Sequence, residues 1–395
     1  MRRAAMVLGM AGLGMAQAPC DLTAATAATA GGAGASCERA WMDANLRMND
    51  LLTVGTHNSY KEAMPASLMA LLSQANANQA VSLDYGHPSL GEQLDGGARQ
   101  LEIDVYYDPE GGRFLDPAGV AAAGVTLDPA RRAALAAPGF KVMHVQDVDV
   151  FSTCMRLVDC LGEIRRWSVA HPDHAPLLLM FNAKTGPSPL PQGTAALPFD
   201  AAAWDALDRE VESVFPADAI ITPDDVQGDY PTLREAVLAG AWPTLGQARG
   251  KVMFALDEGP EKTAAYRGAR RSLEGRAFFI NTDEASPAAA YLTLNDPVAD
   301  GPRIRAAVQA GFIVRTRADA DTAEARANDV RRRDAALSSG AQYVSTDYMR
   351  PDARFPGGYR ARLPGQAAAL CNPVRAAGRC DGAGIDRVAS VRPGD

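Results

Sequence analysis

The sequence lacks an excess of positive charge. Its 39 Lys and Arg stand against 47 Asp and Glu, for a net charge of -8. That balance supplies no basic face of the kind that gathers nucleic acid. An acidic protein can still approach an anionic lipid surface, but only through a local basic patch or a bound cation. Long apolar runs are missing as well: the stretch from Ala4 to Met15 is too short to cross a bilayer. No interfacial amphipathic helix stands out, and no internal repeat. No Gly-x-Ser-x-Gly motif presents a serine nucleophile. None of the six cysteines has a Cys-x-x-Cys spacing, which argues against a thiolate metal site.

What is present begins with a targeting pattern. Arg2 and Arg3 precede the apolar stretch, and small residues follow at Ala16 and Ala18. This reads as a signal peptide over 1–18, so a secreted or periplasmic protein is expected. Cys20 offers a lipid anchor as the alternative, although Gln17-Ala18-Pro19 fits that signal poorly. Residues 19–36, rich in Ala, Thr and Gly, read as a flexible segment. The cysteines fall into three close couples, Cys20 with Cys37, Cys154 with Cys160, and Cys371 with Cys380. Six cysteines permit about 15 connectivities, and local pairing in an oxidising compartment is the simplest. The Arg, Gly and Pro rich tail, 351–395, is expected to pack on or trail from a main body over 37–350.

Within that body, short apolar runs recur at 51–55, 99–105, 140–144, 176–182, 251–257, 277–281, 312–315 and 342–347. Helix-like stretches at 154–170, 202–214, 231–239, 301–310 and 322–338 lie between most of them. Nearly continuous apolar strands alternating with helices indicate an α/β protein with a parallel sheet covered on both faces. Eight of them predict a (β/α)8 TIM-type barrel, whose chemistry gathers at the C-terminal ends of the strands.

Polar groups sit at those ends. The run Leu51-Leu52-Thr53-Val54-Gly55 stops on glycine and delivers Thr56-His57-Asn58-Ser59-Tyr60. Glu102 and Asp104, one residue apart on a strand, point to the same face. Phe140-Lys141-Val142-Met143 ends on His144. Such a set can hold one oxygen-ligated cation between two proton-transfer groups.

These motifs together resemble the phosphatidylinositol-specific phospholipase C superfamily, nearest to its secreted bacterial calcium-dependent branch. The likeness runs over about 45–350. It includes Gly55 to Tyr60, Leu101-Glu102-Ile103-Asp104-Val105, His144, Thr153-Cys154 through Trp167 to His171-Pro172, Gly250-Lys251-Val252-Met253-Phe254, Ser338 to Gln342, and Ser345-Thr346-Asp347-Tyr348. The resemblance implies a phosphodiesterase that splits inositol phosphate from diacylglycerol. It puts His57 beside the attacking hydroxyl and has His144 protonate the leaving alkoxide. It implies Ca2+ held by Asn58, Glu102, Asp104 and the residue closing the fourth strand. Here that residue is Asn182 where the family has an acid. The amide removes a charge and should weaken affinity, and Asp147 or Asp149 could compensate. The implied partner is phosphatidylinositol or a related phosphodiester, met in transient membrane contact by a monomer, with no nucleic acid.

The chemistry stands beside the resemblance. Attack on a phosphodiester builds charge that a hard cation neutralises. Two near-neutral imidazoles can deprotonate an inositol hydroxyl and protonate an alkoxide, each worth about 10²–10⁴-fold. Lys184, Asp257, Arg315 and Asp347, at or near strand ends, are candidates for substrate contact. Their plainer readings are a solvated lysine, an orienting carboxylate, an ion pair of Arg315 with Asp347, and a loop cap. His87, His171 and His174 read as structural. Two other functions fit part of the pattern. One is a glycerophosphodiester phosphodiesterase, although that family starts with His-Arg-Gly where this chain has His57-Asn58-Ser59. The other is a catalytically silent barrel that binds inositol lipid.

Overall fold

Short apolar strands stack side by side because each is covered on both faces. In the computed structural model, which describes residues 33–365, 367–380 and 385–388, eight staves run parallel, and the two-residue strand Ile220–Ile221 adds in parallel beside Val252 and Met253. The eight are β1 (Leu51–Thr56), β2 (Gln100–Tyr106), β3 (Leu177–Ala183), β4 (Val252–Leu256), β5 (Phe278–Ile280), β6 (Tyr291–Thr293), β7 (Ile313–Arg317) and β8 (Tyr343–Thr346). Consecutive strands pair in parallel, with Thr56 opposite Leu101, Ile103 opposite Phe181, Leu179 opposite Phe254 and Phe254 opposite Phe278. A single parallel bridge, Asn281 to Tyr291, joins β5 to β6. Leu292 then lies opposite Val314, Thr316 opposite Val344, and Val344 opposite Val54, which closes the ring. The protein is thus an α/β barrel of the (β/α)8 type.

Helices Leu157–Ala170, Ala201–Val214, Gly301–Ala310 and Arg331–Ser339 lie along the sequence between strands. They turn Ile164, Trp204, Leu207, Ile304 and Val308 inward, all buried. The core is aromatic on one side, where Phe181 meets Phe278 edge to face with centroids 5.1 Å apart.

Three sequence expectations change. The run 140–144 is no barrel stave: only Lys141–Val142 is extended, and it pairs antiparallel with the end of β2, Val142 opposite Val105. The stave that replaces it in the count is β6, whose three residues gave no apolar run long enough to register. The helix expected over 322–338 is two pieces, Ala323–Ala327 and Arg331–Ser339, parted where Asn328 takes φ 49°.

The disulfides Cys154–Cys160 and Cys371–Cys380 form as expected. Cys20 and the segment 1–18 lie outside the described residues, and helix Ala33–Asn45 already begins inside the segment expected to be flexible. The tail packs on the barrel, with Leu370 opposite Leu52 in an antiparallel strand on β1 and Asp386 2.6 Å from the buried Arg99. Among the described residues no helix is long and apolar enough to cross a membrane.

One histidine at the base of the barrel ties folding to pH. His174 is buried, with Nε2 2.9 Å from the Ser168 hydroxyl and Nδ1 2.6 Å from the Ala175 carbonyl. Burial pushes its pKa from 6.5 down to about 4. The unfolded chain therefore takes up a proton that the folded protein refuses. The contribution of His174 is complete above its unfolded pKa and is lost as pH falls through the folded one. Chemical denaturation at about pH 4.5 and about pH 7.5 should show this loss in the wild type. The variant His174→Gln should lose roughly 2 kcal/mol less between the same points. An unchanged slope would remove His174 from the acid response.

Candidate active site

The end of β1 is shaped by a glycine. A Cβ at Gly55 would sit 2.0 Å from the Gln100 carbonyl oxygen, so β1 and β2 approach closely just below the site. Past it, Asn58 takes the left-handed φ of 46°. The Ser59 amide donates to the Glu102 carbonyl at 2.9 Å, and the Glu102 amide donates to the Ser59 hydroxyl at 2.8 Å. These bonds lock the β1 loop onto β2.

His57 is held from several sides. Its Nδ1 lies 2.8 Å from Asp347 Oδ1, at the end of β8. Tyr85 stacks on the ring and brings its hydroxyl within 3.2 Å of Nδ1. His87 Nε2 donates to the His57 carbonyl at 2.9 Å. Arg317, at the end of β7, reaches His57 Nε2 at 3.4 Å, and its other amine reaches Asp347 Oδ2 at 3.2 Å. A carboxylate only accepts and a guanidinium only donates. Arg317 also stands 3.2 Å from Nδ1, but the Asp347 oxygen is the nearer partner, so the proton is assigned to Nδ1 and the lone pair to Nε2. Burial, then the Arg317 charge, push the His57 pKa down to about 3. Burial works to raise the Asp347 carboxyl, but His57 and Arg317 hold it at about 2. Burial, and then the Asp347 charge, push the Asp319 carboxyl up.

The carboxylates of β2 form the floor. Glu102 Oε1 lies 3.7 Å from His57 Nε2 and accepts from Asn182 Nδ2 at 3.0 Å. Its Oε2 accepts from Arg315 at 2.6 Å. Burial lifts the Glu102 pKa to about 7 despite the Arg315 charge. Asp104 and Asn182 are register partners on β2 and β3. Asp104 is buried, with Lys184 Nζ 2.8 Å from Oδ2 balancing its charge and Oδ1 left without a hydrogen bond. Burial would lower the Lys184 pKa, but the Asp104 carboxylate raises it on balance. Arg315 is buried, with amines also at Ser345 and Asn295, and stands 4.0 Å from Asp257. The partner of Asp347 is Arg317, so the ion pair weighed between Arg315 and Asp347 does not form.

His144 comes from a separate hairpin. The chain turns between Val145 and Asp149, with Asp147 at φ 67°, and His144 Nδ1 meets Asp149 Oδ2 at 3.0 Å. Neither acid weighed as an extra metal ligand is available. Asp149 faces His144, and Asp147 accepts from the Ala118 and Thr194 amides at 3.1 and 2.7 Å.

The four residues expected to hold a cation all carry hard oxygen donors, which suits calcium. Two of them are amides, and among the described residues no three His, Cys, Asp or Glu side chains cluster as a metal centre. Asp104 Oδ1 is the feature that fits: Lys184 stands at Oδ2 only, and a buried carboxylate oxygen without a donor suits a cation. Sequence reading missed Arg317 and Tyr85. Arg317 was legible, since it lies two residues beyond Arg315 and so on the same strand face. Tyr85, in a loop, left no signal.

Set beside known proteins, residues 46–373 match the family model for phosphoinositide phospholipase C, Ca2+-dependent. No curated protein matches the chain. Among solved structures it is similar to a calcium-dependent phosphoinositol-specific phospholipase C from Pseudomonas sp, with 20% identity and a TM-score of 0.47, over 80% of this chain and 95% of that one. It is also similar to a Ca2+-dependent phosphatidylinositol-specific phospholipase C from Streptomyces antibioticus, with 18% identity and a TM-score of 0.46, over 76% of this chain and 95% of that one.

Proposed function

The chain belongs to the calcium-dependent phosphoinositide phospholipase C family, and from that premise we propose that it cleaves phosphatidylinositol-type phosphodiesters into diacylglycerol and an inositol phosphate. The observation that carries this reading is the lone pair of His57 Nε2, 3.7 Å from Glu102 at the mouth of the barrel. His57 takes the proton of the inositol hydroxyl as that oxygen attacks phosphorus. Asp347, against Nδ1, stabilises the imidazolium that results. His144, with Nδ1 on Asp149, gives a proton to the glycerol oxygen as the P–O bond breaks. No protein nucleophile is required, because the substrate supplies its own.

Asn58, Glu102, Asp104 and Asn182 would hold the calcium ion. Calcium, when bound, supplies positive charge against the phosphate oxygens. Lys184, Asp257, Arg315 and Arg317 set the charge around that position, and Arg317 and Lys184 are the cations most open to a phosphate oxygen, at 13% and 31% side-chain exposure. The two disulfides support an exported protein. One assay tests the substrate. Purified enzyme with calcium is given phosphatidylinositol vesicles and, separately, glycerophosphoinositol. Release of inositol phosphate from the vesicles, abolished by a calcium chelator, is expected. Turnover of the soluble diester alone would move the chain to glycerophosphodiester chemistry, and no turnover of either would leave a binding protein.

A further inference from the structure

Behind each imidazole stands a carboxylate, and behind each carboxylate a buried cation. For His57 the series is Asp347 and Arg317. For His144 it is Asp149 and Lys61, and Lys61 is the member without an assigned role. Lys61 Nζ lies 3.2 Å from Asp149 Oδ2, and both side chains have no exposure to solvent. The same Oδ2 lies 3.0 Å from His144 Nδ1, so one oxygen faces the imidazole and the ammonium together. The other contacts of the ammonium are Asp149 Oδ1 at 3.5 Å, the Glu62 carbonyl at 3.3 Å and the face of Tyr85, 5.1 Å from its centroid.

Lys61 reaches this position through the backbone. It follows His57 by four residues, yet its segment pairs antiparallel with the return arm of the His144 hairpin. Lys61 bridges to Ser152, the Glu62 amide donates to the Phe151 carbonyl, and the Thr153 amide donates to the Tyr60 carbonyl. The pairing puts the base-bearing segment and the acid-bearing hairpin in one rigid piece. A buried, isolated ammonium and a buried, isolated carboxylate are each costly. The pair offsets both costs, and its shared oxygen divides the negative charge between two partners.

We propose that Lys61 is a positioning residue for His144: it holds the Asp149 carboxylate turned to Nδ1, and by drawing on that charge it helps the ring give its proton to the leaving oxygen. The inference rests on the reading of His144 as the proton donor. The other groups around this relay are Tyr60, Tyr85 and Tyr106, whose phenols burial holds protonated, together with Asp104, Asp147 and His87. None of them touches the oxygen that His144 and Lys61 share.

The test is a double-mutant cycle read on phosphatidylinositol with saturating calcium. Lys61→Met leaves Asp149 with His144 as its sole cation, which favours the imidazolium and weakens it as an acid. The variant should lose about tenfold in kcat with KM unchanged, and the basic limb of its pH profile should move up by about one unit. In the Asp149→Asn background the same substitution should change kcat by less than about twofold. Equal losses in both backgrounds, or a wild-type pH limb in Lys61→Met, would overturn the proposal. Should Lys61→Met fail to fold, Lys61→Gln, uncharged but able to donate, takes its place with the same outcomes. His144→Ala separates the two levels: full activity there removes the donor reading itself, whereas a dead His144→Ala beside an unaffected Lys61 variant removes only Lys61.

Discussion

Alanine at His57 is expected to lower kcat on phosphatidylinositol by about 10²–10⁴-fold, and alanine at His144 by a similar factor. The two losses should differ in what restores them. A substrate whose leaving group is an aryl oxide of low pKa does not need a proton to depart. On that substrate the His144→Ala enzyme should recover most of its rate, because the missing group acted only on the leaving oxygen. The His57→Ala enzyme should not recover, since the attacking hydroxyl still has to lose its proton. The geometry favours this assignment. Asp347 accepts the hydrogen bond from Nδ1 of His57, and burial and the Arg317 charge keep the ring neutral as it enters the reaction. A steady-state comparison of the two substrates with both variants suffices. Recovery of the His57 variant instead would exchange the two roles, and wild-type rates in both would abolish the acid–base mechanism.

Aspartate at position 182 is expected to tighten calcium binding by about 10–100-fold. Glu102 and Asp104 bring two negative charges, but Arg315 at 2.6 Å and Lys184 at 2.8 Å already oppose them. Asn182 contributes only a dipole. Adding a carboxylate beside a divalent ion is worth several kcal/mol even at an effective dielectric of about 20, and the resident cations take back part of it. The substitution has an opposite effect without metal. Asn182 Nδ2 now donates to Glu102 Oε1 at 3.0 Å, and an aspartate there would set two carboxylates face to face. The Asn182→Asp protein should therefore melt lower than wild type in chelator and gain more on adding calcium. Lys184→Met should also tighten calcium, by freeing Asp104. Calorimetric titration with calcium and thermal melts with and without it read both effects without any assay of activity. Unchanged affinity in both variants would mean that these side chains are not the calcium ligands.

Much of the site was legible because catalysis in a parallel barrel sits where strands end. Gly55 before His57-Asn58, and Glu102 and Asp104 on one face, are local patterns that a strand period of two converts into direction. Lys184 and Arg315 were picked out for the same reason, but as ligands of substrate. The structure pairs them with Asp104 and Glu102, across strands, and no local pattern encodes that pairing. Asp149 was weighed as a metal ligand and turns out to face His144, because the turn at Asp147 folds it back within the same hairpin.

The strand count came out at eight for partly the wrong reason. Residues 140–144 are apolar enough to read as a stave, yet their neighbours on the barrel are already paired, so only Lys141–Val142 adds on, antiparallel, at the rim. Tyr291–Thr293 is a stave despite its brevity, since β7 supplies its ladder and a single bridge at Asn281 completes the ring.

By itself the sequence determined the barrel and the family, and it picked out the two histidines, the carboxylate pair and Asn182 as candidates. These follow from the spacing of apolar and polar residues along single strands, which act over a few positions. Only the tertiary structure decided which charge meets which: Arg317 with Asp347, Arg315 with Glu102, Lys184 with Asp104, Lys61 with Asp149. Ring closure and the antiparallel hairpin bring those partners from distant segments, and in a buried site the cost of an unpaired charge selects the pairs.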